Sequence, residues 1–456
     1  MKPIKNHEPL RVDDRPSRRD FIKNSSMIMA GSAVTGSLAA PNRVHAGAGD
    51  TLRLGLIGCG QRGTSATVHA LNECNSLGIR VSLVAMADIF ADRIHASLRG
   101  VKGGIMKNSD TSPCGTVDVP AECQFAGFDG YQRLLDMDLD LVVLASPPAF
   151  RPEYFKAAVA AGVHVFLEKP VAVDPVGTRS VLATGEQARQ QGLSVAVGLP
   201  KRHEARYLAA VERLHAGDIG DILFARAYWN GTGRRIGDRS SKQSEMEFQL
   251  RNWQYFHWLS GDFIVEQHVQ NLDVVNWIKD KHPVSCQGQG GRHGNTGMQG
   301  GDIFDHHMVE YTYGDGSTLL SQCRHIPGCW PSVSEHAHGT QGTANLASAA
   351  IYDRTGERLW KFGPGGGRGH QQQMRAFLQS IMGGDYLHEV SQGALSTLTA
   401  IMGRMATYSG CIIRWDDVLH SDLNLFPTSL TLDTTPPISP NEKGVYPTAT
   451  PGVTIV

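Results

Sequence analysis

The most constraining stretch of the chain is an apolar run, Leu52-Arg53-Leu54-Gly55-Leu56-Ile57, that passes without a break into Gly58-Cys59-Gly60-Gln61-Arg62-Gly63. A helix-compatible segment follows to about Cys74. A second apolar run, Val81 to Ala87, then ends at Asp88. Three glycines at this spacing, after a strand and before a helix, form a turn that lets phosphates approach. Gly58 permits the tight turn, Gly60 lets a backbone come close to a pyrophosphate, and Gly63 lets the helix pack on the strand. The helix N-terminus adds N–H donors and partial positive charge. An acidic residue at the end of the next strand, here Asp88, accepts hydrogen bonds from the adenosine ribose. Its charge repels a 2′-phosphate, so NAD is expected, with NADP the less favoured cofactor. Arg62 is the counterweight, able to sit near the adenine or a phosphate.

Further strand signals follow at Leu139 to Ala145, closed by Ser146-Pro147-Pro148, at Val163 to Leu167, closed by Glu168-Lys169-Pro170, and at Ser194 to Val197. A helix signal at Glu153 to Ala161, stopped by Gly162, lies between them. Strands alternating with helices predict a parallel sheet with helices on both faces. Residues 99–124, rich in Gly, Ser, Thr and Pro, read as a loop insertion. Beyond about residue 205 the pattern changes. Period-2 segments at Ile222 to Tyr228 and Met308 to Tyr313 predict a second, more open sheet, accompanied by helices near 264–278, 371–382 and 391–408. The fold class expected is α/β: a Rossmann dinucleotide-binding domain over 47–200 and an α/β domain with an open, largely antiparallel sheet over 201–426. An extended Pro- and Thr-rich tail covers 427–456.

The first 46 residues stand apart. Ser17-Arg18-Arg19-Asp20-Phe21-Ile22-Lys23 resembles a bacterial twin-arginine export signature. A weakly apolar run from Met27 to Ala40 and the small-residue site Val44-His45-Ala46 follow in the order a signal peptidase reads. Export to the periplasm by the twin-arginine machinery, with cleavage after Ala46, is the expectation. No stretch is long and apolar enough for a permanent span. The eight cysteines include no C-x-x-C pair, which leaves zinc-ribbon and thioredoxin-like readings without support. Cys114 and Cys123 could pair in an oxidising compartment, with free buried thiols as the other reading. With 43 Lys+Arg against 44 Asp+Glu and no long basic run, nothing points to a nucleic-acid partner.

Together, the glycine loop, Glu168-Lys169-Pro170 and the segment from Gly261 to Asp273 make the chain resemble the Gfo/Idh/MocA oxidoreductases over roughly residues 52–420. It is most similar to their exported branch. The resemblance implies an N-terminal Rossmann domain, an open sheet whose exposed face often serves oligomer contacts (hence a homo-oligomer), and Lys169 beside the nicotinamide and the reacting hydroxyl. A lysine there suits the chemistry, because the hydroxyl proton must leave as hydride is transferred. The second motif departs from the family pattern of an acid, a histidine four residues on and an Asp three further. Here those positions are Glu266, Gln270 and Asp273. At about 100° per residue they share a helical face with Trp277. Glutamine can hydrogen-bond a hydroxyl but cannot shuttle a proton. His268, about 200° round the helix from Glu266, is carried as a weaker catalytic candidate.

The cofactor side is therefore expected to comprise Gly58, Gly60, Gln61, Arg62, Gly63, Asp88, Ser146, Pro147, Glu168 and Lys169. The catalytic set is Lys169, Gln270, Glu266 and His268. Arg202, Arg251, Trp253, Tyr255, His257 and Asp273, which place aromatic faces beside hydrogen-bonding groups, are expected to meet a sugar or polyol. Asp302, Asp305, His306, His307, His325, His336 and His338 are metal-ligand types, but they are read as sheet and pocket residues, with no metal. The leading expectation is an exported oxidoreductase that uses NAD(P) on a sugar, polyol or sugar derivative. The alternatives are a glycosidase of the same fold working through transient oxidation and elimination, and a catalytically silent NAD-binding relative.

Overall fold

A computed structural model describes residues 51–456 apart from 106–113, 234–235, 294–300 and 428. The expected export signature and cleavage site lie outside the described residues.

The chain begins with β1 (Thr51–Ile57), α1 (Gln61–Leu77), β2 (Arg80–Asp88) and α2 (Ala91–Gly104). The short strands β3 (Gly115–Val117) and β4 (Gln124–Ala126) follow, then α3 (Gly130–Leu135), β5 (Leu141–Leu144), α4 (Arg151–Ala160), β6 (His164–Leu167), α5 (Pro175–Gln190) and β7 (Val195–Val197). The seven strands form one parallel sheet in the order β3-β2-β1-β5-β6-β7, with β4 also pairing β2. Leu54, Leu56, Val142, Leu144, Val165 and Leu167 are all fully buried. Strands covered on both faces read as continuous apolar runs, and these do. The expected loop at 99–124 is shorter than the sequence suggested. Helix α2 carries through to Gly104, and β3 and β4 use part of the remainder to extend the sheet edge.

The second half contains α6 (Ala205–His215), β8 (Ile222–Gly231), α7 (Glu245–Arg251), α8 (His257–Ser260), α9 (Phe263–Glu266) and α10 (Val269–Lys279). Then come β9 (Ser285–Gly291), β10 (His306–Thr312), β11 (Thr318–His325), β12 (Ser332–Gly339), β13 (Gly342–Asn345), β14 (Ala350–Asp353) and β15 (Arg358–Lys361). Helices α11 (Gly369–Gly383) and α12 (Val390–Ser409), strand β16 (Ile413–Arg414) and α13 (Trp415–His420) close the order. The nine-stranded sheet runs β15-β14-β13-β12-β8-β11-β10-β9-β16 and is antiparallel except between β8 and β11. Alternation along β10 buries His307, Val309 and Tyr311 and turns Met308 and Glu310 outward, the pattern of a sheet covered on one face.

Helix α12 is buried on nearly all sides, its Ser, Thr and Arg residues included, so it forms the spine under this sheet. Met374, Phe377 and Leu378 of α11 return to pack with Leu52, Leu54 and Leu56 of the first domain. The tail is an extended arm laid along α7. Carbonyls of Leu432 and Ile438 accept hydrogen bonds from Ser244 Oγ and Gln249 Nε2. Tyr446, almost fully buried, sets its ring edge-on to Phe256 and donates its hydroxyl to Glu245.

The helix expected over 264–278 is interrupted. α9 ends at Glu266, Gln267 and His268 form a turn, and α10 starts at Val269. The single helical face on which Glu266, Gln270 and Asp273 were aligned therefore does not exist as a continuous surface.

Candidate active site

The glycine turn has a steric basis that differs at each position. Gly58 has φ +96, and a Cβ there would lie 2.4 Å from the backbone of Ala145 and Ser146. A Cβ on Gly63 would lie 2.1 Å from the Gly58 carbonyl oxygen. These two glycines are demanded by strand–helix packing. Gly60 is not, because a Cβ there would meet nothing within 4 Å. Its bareness leaves open space beside the N-terminus of α1, where a ligand backbone can approach.

Asp88 closes the turn from the neighbouring strand. Its Oδ2 accepts the Cys59 N–H at 2.8 Å and its Oδ1 the Phe90 N–H at 3.0 Å. Burial raises its carboxyl above the usual carboxylate range, against the pull of those two N–H groups. Gly58, Gly60, Asp88, Ser146 and Pro147 line a groove together with Leu250 and Trp253 from the second half. Ser146 Oγ is buried there with no hydrogen-bond partner among the described residues. An orphaned hydroxyl, an uncrowded glycine and a carboxylate at a strand end suit the ribose and phosphates of a dinucleotide. Gln61 lies exposed at the start of α1.

Arg62 is held by a carboxylate within the fold and keeps about a third of its side chain exposed. Its Nε donates to Glu168 Oε1 at 2.7 Å, and Glu168 is almost fully buried beneath Gly198. Glu168 thus anchors Arg62. Sequence reasoning missed Arg151, fully buried, which donates to the carbonyls of Ser146 and Pro170 and ties two strand-end loops together. Burial lowers its guanidinium to about 10. A charged residue in an apolar helix start, three residues after Pro148, was the available signal.

Lys169, joined to Pro170 by a cis peptide, reaches the second half of the chain. Its Nζ donates to the backbone carbonyl of Glu266 and lies 3.4 Å from Glu266 Oε1. Both side chains are close to nine-tenths buried. Gln270 is half-buried, and its amide bonds to no described residue. Beyond Glu266, Gln267 Oε1 meets His325 Nε2 at 2.9 Å, and the His325 ring stacks on Phe263 with centroids 4.0 Å apart. Neither Gln267 nor this role of His325 was anticipated.

Six of the expected site residues have other surroundings in the fold. His268 is fully buried, with Nε2 on Ser321 Oγ at 2.8 Å. Burial, reinforced by the Lys201 charge, lowers its imidazole to about 3, so it is a neutral structural group facing the sheet and no proton shuttle. Arg202 and Asp273, both expected at substrate, hold each other instead. Arg202 Nε and Nη2 fork onto the Asp273 carboxylate at 2.9–3.1 Å, Ser396 donates to the same carboxylate, and Trp277 lies under the guanidinium. Trp253 lines the wall of the nucleotide groove, and Arg251, close to it in sequence, binds Asp92 and Glu247 outside that lining. Tyr255 is buried, and its carbonyl accepts the Asp302 N–H. His257 retains a half-open position, with Nδ1 on buried Asp302 and Nε2 without a described partner.

The residues with metal-ligand character are dispersed among separate partnerships. Asp302 serves His257. Asp305 accepts the His293 N–H and His306 Nδ1. His307 contacts Thr407 and Asp262. His336 meets Ser334 and His338 meets Arg226. Among the described residues no three His, Cys, Asp or Glu side chains assemble as a metal-binding group. The cysteine pair is also different from the one considered. Cys74 bonds Cys114, with Cα atoms 6.0 Å apart, and Cys123 stays free. Their separation in sequence is 40 residues, which hid the pairing; strand β3 carries Cys114 back beside α1.

With this geometry in view, residues 52–199 match the family described as "Oxidoreductase family, NAD-binding Rossmann fold". Over those residues the chain is similar to the Gfo/Idh/MocA oxidoreductases. Inositol 2-dehydrogenase of Acidothermus cellulolyticus is 26% identical over 334 residues, 72% of this chain and 89% of that one. Inositol 2-dehydrogenase of Klebsiella pneumoniae is 29% identical over 178 residues, so the match covers 39% of this chain and 45%, under half, of that relative's length. Among solved structures, scyllo-inositol dehydrogenase from Lactobacillus casei superposes with a TM-score of 0.58 at 17% identity, over 80% of this chain and 99% of that one. Levoglucosan dehydrogenase in complex with NADH and levoglucosan gives 0.60 at 16%, with the same coverage. At these identities the structures establish the two-domain fold. The first domain matches an NAD-binding Rossmann fold, as its glycine turn and Asp88 anticipated.

Proposed function

We propose that this chain is an exported NAD-dependent oxidoreductase that oxidises a carbinol of a sugar, polyol or sugar derivative, or reduces the corresponding carbonyl, with Lys169 assisting proton transfer. The observation that carries the reading is the meeting of Lys169 and Glu266, 97 residues apart, next to strand ends that frame a dinucleotide-type groove. Bound NAD supplies a hydride acceptor at its nicotinamide ring. Asp88, Ser146 and the glycine turn would hold the nucleotide. An ammonium has three N–H donors. Glu266 takes up two directions at Lys169, through its carbonyl and its carboxylate, and leaves the third for a substrate oxygen. Positive charge at that point stabilises a developing alkoxide, and Glu266 stands ready to accept the proton. Gln270 orients a hydroxyl but carries no proton. On this reading a Lys–Glu pair does what a histidine does elsewhere in the family.

Relatives named for inositol and levoglucosan support the polyol and sugar class. Export is supported by the order of Arg18-Arg19, the apolar run and Ala46, and by a disulfide, Cys74–Cys114, which suits an oxidising compartment. Twin-arginine export moves folded proteins, so cofactor can be loaded before transport. Self-association through the open sheet is supported by Met308 and Trp330, both about half exposed, the latter set against Tyr228.

The test is to denature protein purified from the periplasm, identify any released nucleotide by mass spectrometry, and screen inositols, anhydrosugars and glycosides by nicotinamide absorbance and product analysis. NAD release with turnover of a carbinol is expected. Net glycoside cleavage without net cofactor change would move the reading to the glycosidase alternative. Nucleotide-free folded protein would overturn it. Fractionation of cells expressing R18K/R19K should find the protein retained in the cytoplasm.

A further inference from the structure

The nucleotide groove has a roof, and the roof is latched. Its floor is the first domain: the glycine turn, Asp88, Phe90 and Arg93. Leu250 and Trp253, at the end of α7 and just beyond it, cover it from the second half of the chain. Between them Arg251 points the other way, to the start of α2. Its Nη1 and Nη2 donate to the two oxygens of Asp92 at 3.1 and 3.2 Å, and its guanidinium carbon lies 3.9 Å from the centre of the Phe90 ring. Arg93 returns a hydrogen bond to the Arg251 carbonyl at 3.2 Å. Glu247, one turn back on α7, holds Arg251 Nε at 2.8 Å and so pre-sets the guanidinium. Behind α7 lies the C-terminal arm, bonded to it at Ser244, Glu245 and Gln249.

We infer that α7 and the turn after it form a strap over the adenosine half of the dinucleotide, with Arg251 as the latch that sets the rate at which nucleotide leaves. The inference rests on the NAD reading above and adds to it a reason for retention. Phe90 and Arg93 both line the groove and both touch Arg251, so the latch closes on the groove wall itself. A nucleotide buried under Leu250 and Trp253 can leave only when the strap lifts, and lifting it breaks the Arg251 contacts. Closing elements of this kind act on dissociation more than on association. Slow release matters for a protein that works where free NAD is scarce. The ion pair is partly solvent-exposed, with Asp92 at 66% and Arg251 at 27%, so salt should weaken it. The stacking of a planar guanidinium on Phe90 is not available to lysine in the same form.

The test is the rate of NADH release, followed by loss of nicotinamide fluorescence when loaded protein is mixed with excess NAD. Arg251→Ala should release NADH about tenfold faster or more, and Asp92→Ala several-fold faster. Arg251→Lys should fall between wild type and Arg251→Ala. Raising salt should speed release from wild type and leave Arg251→Ala nearly unaffected. The association rate and the melting temperature of nucleotide-free protein should stay near wild type for Asp92→Ala, whose side chain is mostly in solvent. Wild-type protein that binds no NADH at all would overturn the NAD reading. Wild-type protein that binds it, with Arg251→Ala and Asp92→Ala releasing at the wild-type rate, would overturn the latch alone.

Discussion

Lys169 donates to the backbone carbonyl of Glu266, and its Nζ lies 3.4 Å from that residue's own Oε1. The contact joins the two halves of the chain where a strand end of the first domain meets a helix end of the second. It orients the ammonium and places a carboxylate beside it.

Removing the ammonium should therefore remove chemistry and leave the nucleotide in place. Lys169→Ala is expected to lower single-turnover hydride transfer by about 10²-fold or more, the usual scale for a positioned acid–base group. NADH affinity, measured by fluorescence titration, should change little. Full-speed reduction of bound NAD by the variant, on a substrate the native protein oxidises, would show that proton transfer runs elsewhere.

Gln270 gives a milder expectation. Gln270→Ala should mainly raise KM, because an amide orients a hydroxyl without carrying its proton. Gln270→His restores the family residue and should raise kcat on simple polyols. Equal losses of kcat in both variants would show that the amide is required in the transition state.

Asp88 carries the cofactor preference. Asp88→Ala removes charge-assisted hydrogen bonds of about 1.5–3 kcal/mol and relieves repulsion of a 2′-phosphate. NAD binding should weaken by about tenfold or more while NADP binding weakens less. Because Asp88 also braces the Cys59 and Phe90 N–H groups, part of the loss will come from the turn itself, and Asp88→Asn is the control that keeps the side chain's size. An unchanged NAD/NADP ratio in both variants would place the ribose elsewhere.

His268 makes folding acid-sensitive. The folded protein holds this imidazole neutral, with its pKa lowered to about 3, whereas an unfolded chain protonates it near 6.5. The unfolded state thus binds the extra proton. The His268 contribution is fully present above about pH 6.5 and is lost as pH falls toward 3, at about 1.4 kcal/mol per pH unit. Urea unfolding of wild type and His268→Gln across about pH 7 to 4.5 reads the upper part of this loss directly. Parallel stability curves would refute the neutral, buried assignment.

The Cys74–Cys114 bond should be found by peptide mapping of non-reduced protein, with Cys123 alkylated as a free thiol. Cys114→Ser should lower stability by about 2–4 kcal/mol, the common range for removing such a cross-link. Recovery of a Cys114–Cys123 peptide instead would reverse the pairing.

What the sequence determined by itself is the local part of this protein. The strand, the glycine turn, the helix and Asp88 lie within 40 residues, and each is set by backbone conformation, close packing or the two-residue period of a strand. The period-2 runs likewise announced the open sheet. The tertiary structure alone decided the partnerships. Arg62 could equally have met a phosphate or a carboxylate, and only the fold brings Glu168 within 2.7 Å of it. Arg202 and Asp273 neutralise each other across 71 residues, and Cys114 finds Cys74 across 40. Helical spacing put Glu266, Gln270 and Asp273 on one face, but the turn at Gln267 and His268 breaks that face and sends the imidazole under the sheet. Side-chain type fixes which bonds a residue can make. Which of them form depends on what long-range packing places within about 3 Å, and one-dimensional spacing does not contain that distance.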